Sequence, residues 1–490
     1  MPTCVAVDVG SNGGVLYGGT LDDGLDVRET YSFNNEPIER DGRYVWDIEH
    51  IVGELVTGLE VTERKVGEID TIGVDTTGCD FGFVSDGELL RNPTFYRDPD
   101  LTSTLPEIFE RVTRREVFMA TGLAHWHVPN TLYQYHYKYN QYPELFEAAD
   151  VMVNLPQVIT TVLGGDPTPD GSIVSTTQMY HVGNGDWATS LLGKLDLPTD
   201  ILPTVVEPGT SLGRLSEEYT SRLESDPELL ATTGHDTASA VAGTPLASGD
   251  TLFLSTGSWL LPGVELNEPV ITEEALDIEG SNEIGVEGTI RFLKDVTGFN
   301  LFELCRNAWR EAGECHEYDA LVTAARDARP NGPIFDPDAD RFSSGTLDGD
   351  VITKIEAYCR ETDQPVPSGR GEITRCVFES LAAKCAYSFE QIDGVAPETG
   401  TKLNLVGGGV KNELFCEMVA SATRRPVVAG PIEATAIGNL LVQLSAKSEL
   451  DDIAEGRSLL GEAIDIQTYE PRGDRDAWMD IVERMAALVG

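Results

Sequence analysis

Twice in this chain an apolar, strand-like run enters a short polar turn and comes back as a second strand. The first is Thr3 to Val9, turning through Gly10, Gly13 and Gly14 into Val15 to Tyr17. The second is Thr251 to Leu254, the polar turn Ser255 to Ser258, and Trp259 to Leu266. A further strand near Val27 to Phe33 extends the first into a meander. Ile48, Ile51, Val52, Leu55, Val56 and Leu59 then follow the 3-4 spacing of an amphipathic helix. Ile69 to Thr76 reads as a buried strand, and GHDTASAVA, within Ala231 to Ala242, as a turn entering a small-residue helix. Late in the chain Leu403 to Val406 runs into Gly407-Gly408-Gly409 and a helix from about Asn412 to Thr423. Val427 to Ala429 reads as one more strand and Ala434 to Ser445 as a helix with few charges. The pattern suits two related α/β domains, as the 490 residues do at roughly 150 per domain. Gly164 to Gly171 and Ala328 to Asp340, rich in Asp, Gly and Pro, read as surface loops.

Charge narrows the partners. Thirty-five basic against 82 acidic residues leave a net charge of -47, spread through nearly every segment. Nucleic acid is a poor partner for such a surface, because its binding rests on basic groups that neutralise phosphates. Neighbouring surface carboxylates repel over about 10 Å at 0.1 M salt and over about 3 Å near 1 M, so the composition points to a salt-adapted, haloarchaeal-type cytoplasm. The alternative is an acidic protein of an ordinary cell. No apolar stretch approaches the roughly 18 residues of a membrane span, so no membrane partner is expected. MPTCVAVDVG does not read as a secretion signal, and the eight cysteines, without a CxxC pair, read as reduced cytosolic thiols.

Several segments carry chemistry. DVGSNGG, Asp8 to Gly14, sets a carboxylate at a strand end before a glycine turn, where backbone N–H groups can approach an anion and the acid can hold hydrated Mg²⁺. An ordinary hairpin with an edge aspartate reads equally well. STGSW, Ser255 to Trp259, is a second such turn. The triple glycine lacks the Lys-Ser/Thr of a Walker loop and does not fit GxGxxG, yet it keeps the backbone bare for something packed on it, such as a nucleotide. GHDT, Gly234 to Thr237, places Asp236 at the mouth of a helix, where a plain helix cap is the alternative. Asp75 and Asp80, flanking Gly78, are candidates for holding a polyol or for a structural turn.

In order along the chain, VAVDVG, DTTGCDFGFV, Tyr96 to Asp98, Asn130 to Gln134, Ser175 to Gln178, GHDTASAV, LSTGSW, Phe292 to Gly298, Asp336 to Phe342, VGGGVKN and AGPIEATAIGN resemble the FGGY family of carbohydrate kinases, its rhamnulokinase branch most. The match runs colinearly from residue 4 to about residue 445. The resemblance implies an α/β fold of two actin-like or ribonuclease-H-like ATPase domains flanking a catalytic cleft. Residues 1–242 would hold the sugar, the phosphate loop and the base, residues 243–450 the nucleotide, and residues 451–490 a tail packed on both. It implies ATP and Mg²⁺ as cofactors and a ketose such as L-rhamnulose as substrate, phosphorylated at its primary hydroxyl. L-fuculose, a ketopentose or another polyol stays open, as does a homodimer. Non-catalytic binding of sugar or nucleotide and a chaperone-like ATPase are competing readings.

Carried over by position, Asp236 is the catalytic base and Asp8 the residue that orients hydrated Mg²⁺. Ser11, Asn12, Gly13, Gly14, Val15 and Ser258 line the phosphate path, and Glu303 lies near ATP. Gly407, Gly408, Gly409 and Asn412 pack against the nucleoside, while Gly78, His235, Thr237 and Asp295 face the sugar. The chain departs from the family pattern at Val15 (arginine is usual), Thr77 (tryptophan), Gln157 (aspartate), Asp295 (asparagine) and Glu303 (glutamine). The stretch Ala124 to Pro129 differs too. Substrate identity is therefore less tightly implied than reaction type, and backbone amides with Mg²⁺ are expected to take over the phosphate contact that Val15 cannot make. The expected hinge is the segment Ala242 to Asp250.

Overall fold

A computed structural model of the chain describes residues 1–21, 24–98, 101, 105–126, 130–246, 251–314, 316–342, 351–397, 400–463 and 466–490. Residues 127–129 of the divergent stretch and residues 247–250 of the expected hinge lie outside them. The chain divides into two compact units. The first holds residues 1–245, 265–292 and 433–464, and the second residues 246–264, 293–432 and 465–490.

The first unit is built on β1 (Cys4–Gly10), β2 (Gly13–Leu21) and β3 (Leu25–Asn34), an antiparallel meander. After α1 (Ile48–Val66) the chain returns as β4 (Thr71–Thr76), parallel to β1. Further on, β5 (Ser211–Arg214) pairs antiparallel with β6 (Glu228–Leu230), which lies parallel to β4. The β1 core is a continuous apolar run because helices cover both faces of the sheet. On one face α1 buries Ile48, Ile51, Val52, Leu55, Val56 and Leu59, one stripe of the helix, against Val5, Val7 and Val9. The Asp47 side chain accepts from His50 N and starts this helix. Register does the functional work: Asp8 stands beside Asp75, and Thr76 bridges to His235, one residue before α2 (Asp236–Ala242).

The second unit repeats the plan. Strand β7 (Leu252–Thr256) pairs antiparallel with β8 (Trp259–Leu266) and parallel with β9 (Leu403–Gly407), which is parallel to β10 (Val427–Ala429). Strand β11 (Gln467–Tyr469) closes that edge antiparallel to β10. Helices α3 (Asn300–Glu311) and α4 (Glu413–Thr423) follow their strands, α4 with Asn412 as its cap. A hairpin whose first strand continues through two parallel neighbours is thus present twice. It is the arrangement expected of actin- or ribonuclease-H-like domains.

The stretch read as a low-charge helix is α5 (Ala434–Ala446), and it belongs to the first unit. It is poor in charge because it is buried along nearly its whole length. Its backbone meets α2 directly: a Cβ on Gly438 would lie 1.8 Å from Ser239 O, and one on Gly243 2.1 Å from Ala434 O. Its two buried amides serve the sheet. Asn439 Nδ2 donates to Gly73 O and Asp75 Oδ2, and Gln443 joins Val5 O and Thr71 Oγ1.

Two expectations fail. The loop Gly164 to Gly171 ends in Asp170, which is fully buried because its carboxylate accepts from Gly234 N and Ser172 N. Within Ala328 to Asp340, Ile334 and Phe335 are core residues, and Asp336 is buried with Lys384. Composition marks a break in periodicity, not exposure. Since α2 is held by backbone contact, Gly438→Ala should destabilise the protein by about 1–3 kcal/mol, the range of overpacked sites. Gly461→Ala, where a Cβ meets nothing within 4 Å, should stay within about 0.5 kcal/mol of wild type or exceed it. Urea denaturation of both variants checks the contrast.

Candidate active site

Three carboxylates gather at the carboxyl ends of β1 and β4 and the start of α2, all in the first unit. Asp8 and Asp75 are register partners on parallel strands. Burial first, then the charge of Asp236, raises the Asp8 carboxyl to about 7. Asp75 has no solvent exposure. Burial, then Asp8, pushes it well above the usual carboxylate range, against the pull of the Asn439 hydrogen bond. Its Oδ2 accepts from Asn439, while Oδ1 is buried with no hydrogen-bond partner. Asp236, the first residue of α2, keeps a third of its side chain exposed.

The GHDT loop is clamped by backbone bonds. Thr76 N donates to Gly234 O at 2.9 Å, Gly234 N to Asp170 Oδ1 at 2.9 Å, and His235 N to Ser172 Oγ at 3.3 Å. Asp236 Oδ1 accepts from Thr237 N at 2.5 Å and from Thr237 Oγ1 at 3.1 Å, and His235 Nε2 lies 3.4 Å from it. A plain helix cap does not describe this aspartate: His235 occupies the cap position, without a capping bond from its side chain. A Cβ on Gly78 would sit 3.1 Å from Thr176 Oγ1 and 3.6 Å from His235 Nε2. Gly78, Thr176, His235, Thr237 and Asp236 therefore come together. Thr176 carries no signal of its own in the sequence beyond its place in STTQ.

Asp80 is not a polyol ligand. Oδ2 accepts from Trp46 Nε1 and Tyr96 N, and Oδ1 from Gln134 Nε2, so this buried acid pins the loop that carries Gly78. In the glycine turn, a Cβ on Gly13 would lie 2.4 Å from Phe33 O, and one on Gly14 would enter the Phe33 ring. Both glycines answer first to close packing on β3. Asn12 at the tip is exposed, Ser11 is half-buried, and Val15 pairs with Asp8 across the hairpin.

The second unit holds the remaining candidates. Of the triple glycine, Gly407 has φ +84° with Thr256 O 2.5 Å from its Cβ position, and Gly409 presses on Thr256 and Phe299. Only Gly408 is exposed with nothing in the way. Asn412 is buried: Oδ1 accepts from Phe415 N and Nδ2 donates to Tyr318 OH, so its side chain shapes the turn. Glu303 holds Arg306 Nη1 with both oxygens, each at 2.7 Å. Ser258 is exposed in the β7–β8 turn, and its carbonyl accepts from Gly298 N. Asp295 is half-buried just before the short strand Val296–Thr297.

Among the described residues no three His, Cys, Asp or Glu side chains gather tightly enough to wrap a metal ion directly. Mg²⁺ asks for less, since it keeps several waters and takes one or two carboxylates plus substrate phosphates. Asp8, and the unpartnered Oδ1 of Asp75, fit that donor set, and a cation there would relieve the crowding of charge.

Family models for the FGGY family of carbohydrate kinases match the chain at residues 25–243, N-terminal domain, and 252–447, C-terminal domain. A rhamnulokinase of Bacteroides thetaiotaomicron is 37% identical over 477 residues, 96% of either chain. One of Halalkalibacterium halodurans is 31% identical over 466 residues, 95% of this chain and 98% of its own. Among solved structures, a ligand-bound xylulose kinase of Lactobacillus acidophilus superposes with a TM-score of 0.79 at 16% identity, over 100% of this chain and 98% of that one. A gluconate kinase of the same organism gives 0.79 at 17%, over 99% and 97%. These structures share the fold.

The carboxylate crowding has a pH signature. With the Asp8 carboxyl raised from 3.8 to about 7, the folded chain keeps a proton that the unfolded chain has lost. Stability of the metal-free protein should therefore fall as pH rises from about 4 to about 7, by about 2–4 kcal/mol through this group. Asp8→Asn should remove that part of the slope. Urea midpoints in chelator across this range, at fixed salt, check it; equal slopes in both proteins contradict it.

Proposed function

The chain belongs to the FGGY family of carbohydrate kinases, and on that premise we propose that it transfers the γ-phosphoryl group of ATP to the primary hydroxyl of a ketose, L-rhamnulose, giving the 1-phosphate. The full-length 37% identity to a rhamnulokinase carries the substrate. The meeting of Asp236, His235 and Gly78 in the first unit carries the chemistry.

In this reading Asp236 accepts the hydroxyl proton as the sugar oxygen attacks phosphorus. Its Oδ1 already takes the bonds from Thr237, so Oδ2 is the oxygen left to act as base. His235, Thr237 and Thr176 orient the sugar, and Gly78 leaves it room. Phosphoryl transfer asks the protein mainly for positioning and charge stabilisation. The backbone N–H groups of the Ser11 to Val15 turn face the phosphates where relatives are expected to place an arginine. Asp8, with Asp75 beside it, would hold hydrated Mg²⁺, which would supply charge neutralisation at the phosphates. The nucleoside lies on the bare backbone at Gly408. The first unit thus serves sugar and phosphate and the second the nucleotide, in the cytoplasm of a salt-adapted cell.

One observation keeps a neighbouring ketose in view. Thr77 Oγ1 and Gln157 Oε1 are buried without hydrogen-bond partners, and both stand where the chain departs from the family pattern. A buried group left unpaired by the wrong substrate can shift discrimination by orders of magnitude. An ADP-release assay over ketoses and polyols, with ³¹P NMR of the product, is expected to single out L-rhamnulose; preference for another ketose reassigns the substrate and leaves the chemistry. Asp236→Asn should lose about 10²- to 10⁴-fold in kcat, with KM for ATP little changed. Unaltered turnover removes Asp236 from the base role.

A further inference from the structure

Arg291 has no solvent exposure and sits on the strand Ile290–Leu293; Glu283, 3% exposed, sits on the strand Ser281–Ile284. Arg291 Nη2 lies 2.9 Å from Glu283 Oε2, 3.2 Å from Ile284 O and 3.2 Å from His235 Nδ1. Its Nε and Nη1 are buried with no hydrogen-bond partner. A buried guanidinium with unpaired donors is costly to the fold, and ion pairs of this kind add little stability over apolar packing. The group it reaches is the histidine next to the proposed base.

Two groups compete for His235 Nδ1. Glu283 Oε2 lies 3.4 Å from it and can only accept a hydrogen bond; Arg291 Nη2, at 3.2 Å, can only donate one. The carboxylate would select the Nδ1–H tautomer, the guanidinium the Nε2–H tautomer. Arg291 is the nearer and hydrogen-bonds Nδ1, whereas Glu283 Oε2 receives no hydrogen bond and meets Arg291 only as an ion pair.

We propose that Arg291, braced by Glu283, is a positioning residue for the phosphoryl transfer: it donates to His235 Nδ1 and fixes the imidazole with its proton on Nε2, facing Asp236 Oδ1. This deepens, and rests on, the reading of Asp236 as the base. With Nε2–H at 3.4 Å and the two donors of Thr237, all the donors near the carboxylate address Oδ1, and Oδ2 stays clear to take the sugar proton. In the opposite tautomer a nitrogen lone pair faces Oδ1, repels it and turns the carboxylate away.

The tautomer is visible directly. Long-range ¹H–¹⁵N spectra of the full-length, ¹⁵N-histidine-labelled protein, with His235→Gln to assign the resonance, should show Nε2–H in the wild type. In Arg291→Met the ring should move to Nδ1–H or to imidazolium. There kcat should fall about 10- to 100-fold, with KM for ATP within about 2-fold, the loss expected of a misplaced base. Arg291→Lys, which restores a donor, should recover part of both the Nε2–H signal and kcat. Glu283→Gln, which leaves the guanidinium, should keep Nε2–H. An Nδ1–H ring in the wild type overturns the inference without any variant having to fold, and so does an Arg291→Met protein with unchanged spectrum and kcat. Full turnover by Asp236→Asn instead overturns the base assignment, which the spectrum does not depend on.

Discussion

Three acids, Asp8, Asp75 and Asp236, meet at one end of one sheet, and burial with their mutual charge raises the carboxyls of Asp8 and Asp75. Backbone register causes this. Parallel pairing of β1 with β4 puts Asp8 beside Asp75, and the bridge from Thr76 to His235 brings the start of α2 alongside. Like charges in a low-dielectric place raise each other's proton affinity unless a cation or donors compensate. Asn439 compensates one oxygen of Asp75, and Thr237 and His235 serve one oxygen of Asp236. What remains is Asp8 with the bare Oδ1 of Asp75, the pair that in the proposed reading would hold a divalent cation.

The rest of the first unit keeps that meeting in place. Helix α5 comes from late in the chain, yet it crosses α2 at glycines and sends Asn439 and Gln443 into the sheet, so the helix that begins at Asp236 is set by residues far downstream. Residues 265–292 likewise return to the first unit and bring Glu283 and Arg291 behind His235. Buried polar groups act here as struts: Asp170 holds Gly234, and Asp80 holds the loop that carries Gly78. Each is satisfied by several donors, which is how a buried carboxylate becomes a rigid part.

What the sequence made legible follows from periodicity. The two hairpins, α1, β4, α5 and the strand–glycine–helix run show in apolar spacing alone, because each element buries one stripe or one face. GHDT and DVGSNGG stand out since aspartate before a glycine turn or a helix start is a local pattern. Their meaning was not local. Asp75 read as a polyol candidate because its neighbour across β1 is invisible without the register. Thr176, Glu283 and Arg291 gave no sign, since contact across strands leaves no spacing to read. The glycine triplet has a packing reason that spacing does not show: two of its members make room for Thr256 of the neighbouring strand, and Gly408 is bare. Gly, Pro and Asp content marked loops well but could not say that Asp170, Ile334 and Phe335 lie inside.

Asp8 should hold a proton that a cation displaces. Titrating Mg²⁺ into the nucleotide-free protein near pH 6.5, by calorimetry in buffers of differing ionisation heat, counts the protons released per ion bound. A substantial fraction of one proton should leave the wild-type protein and far less should leave Asp8→Asn. Binding with no proton release, or equal release from both proteins, would contradict it.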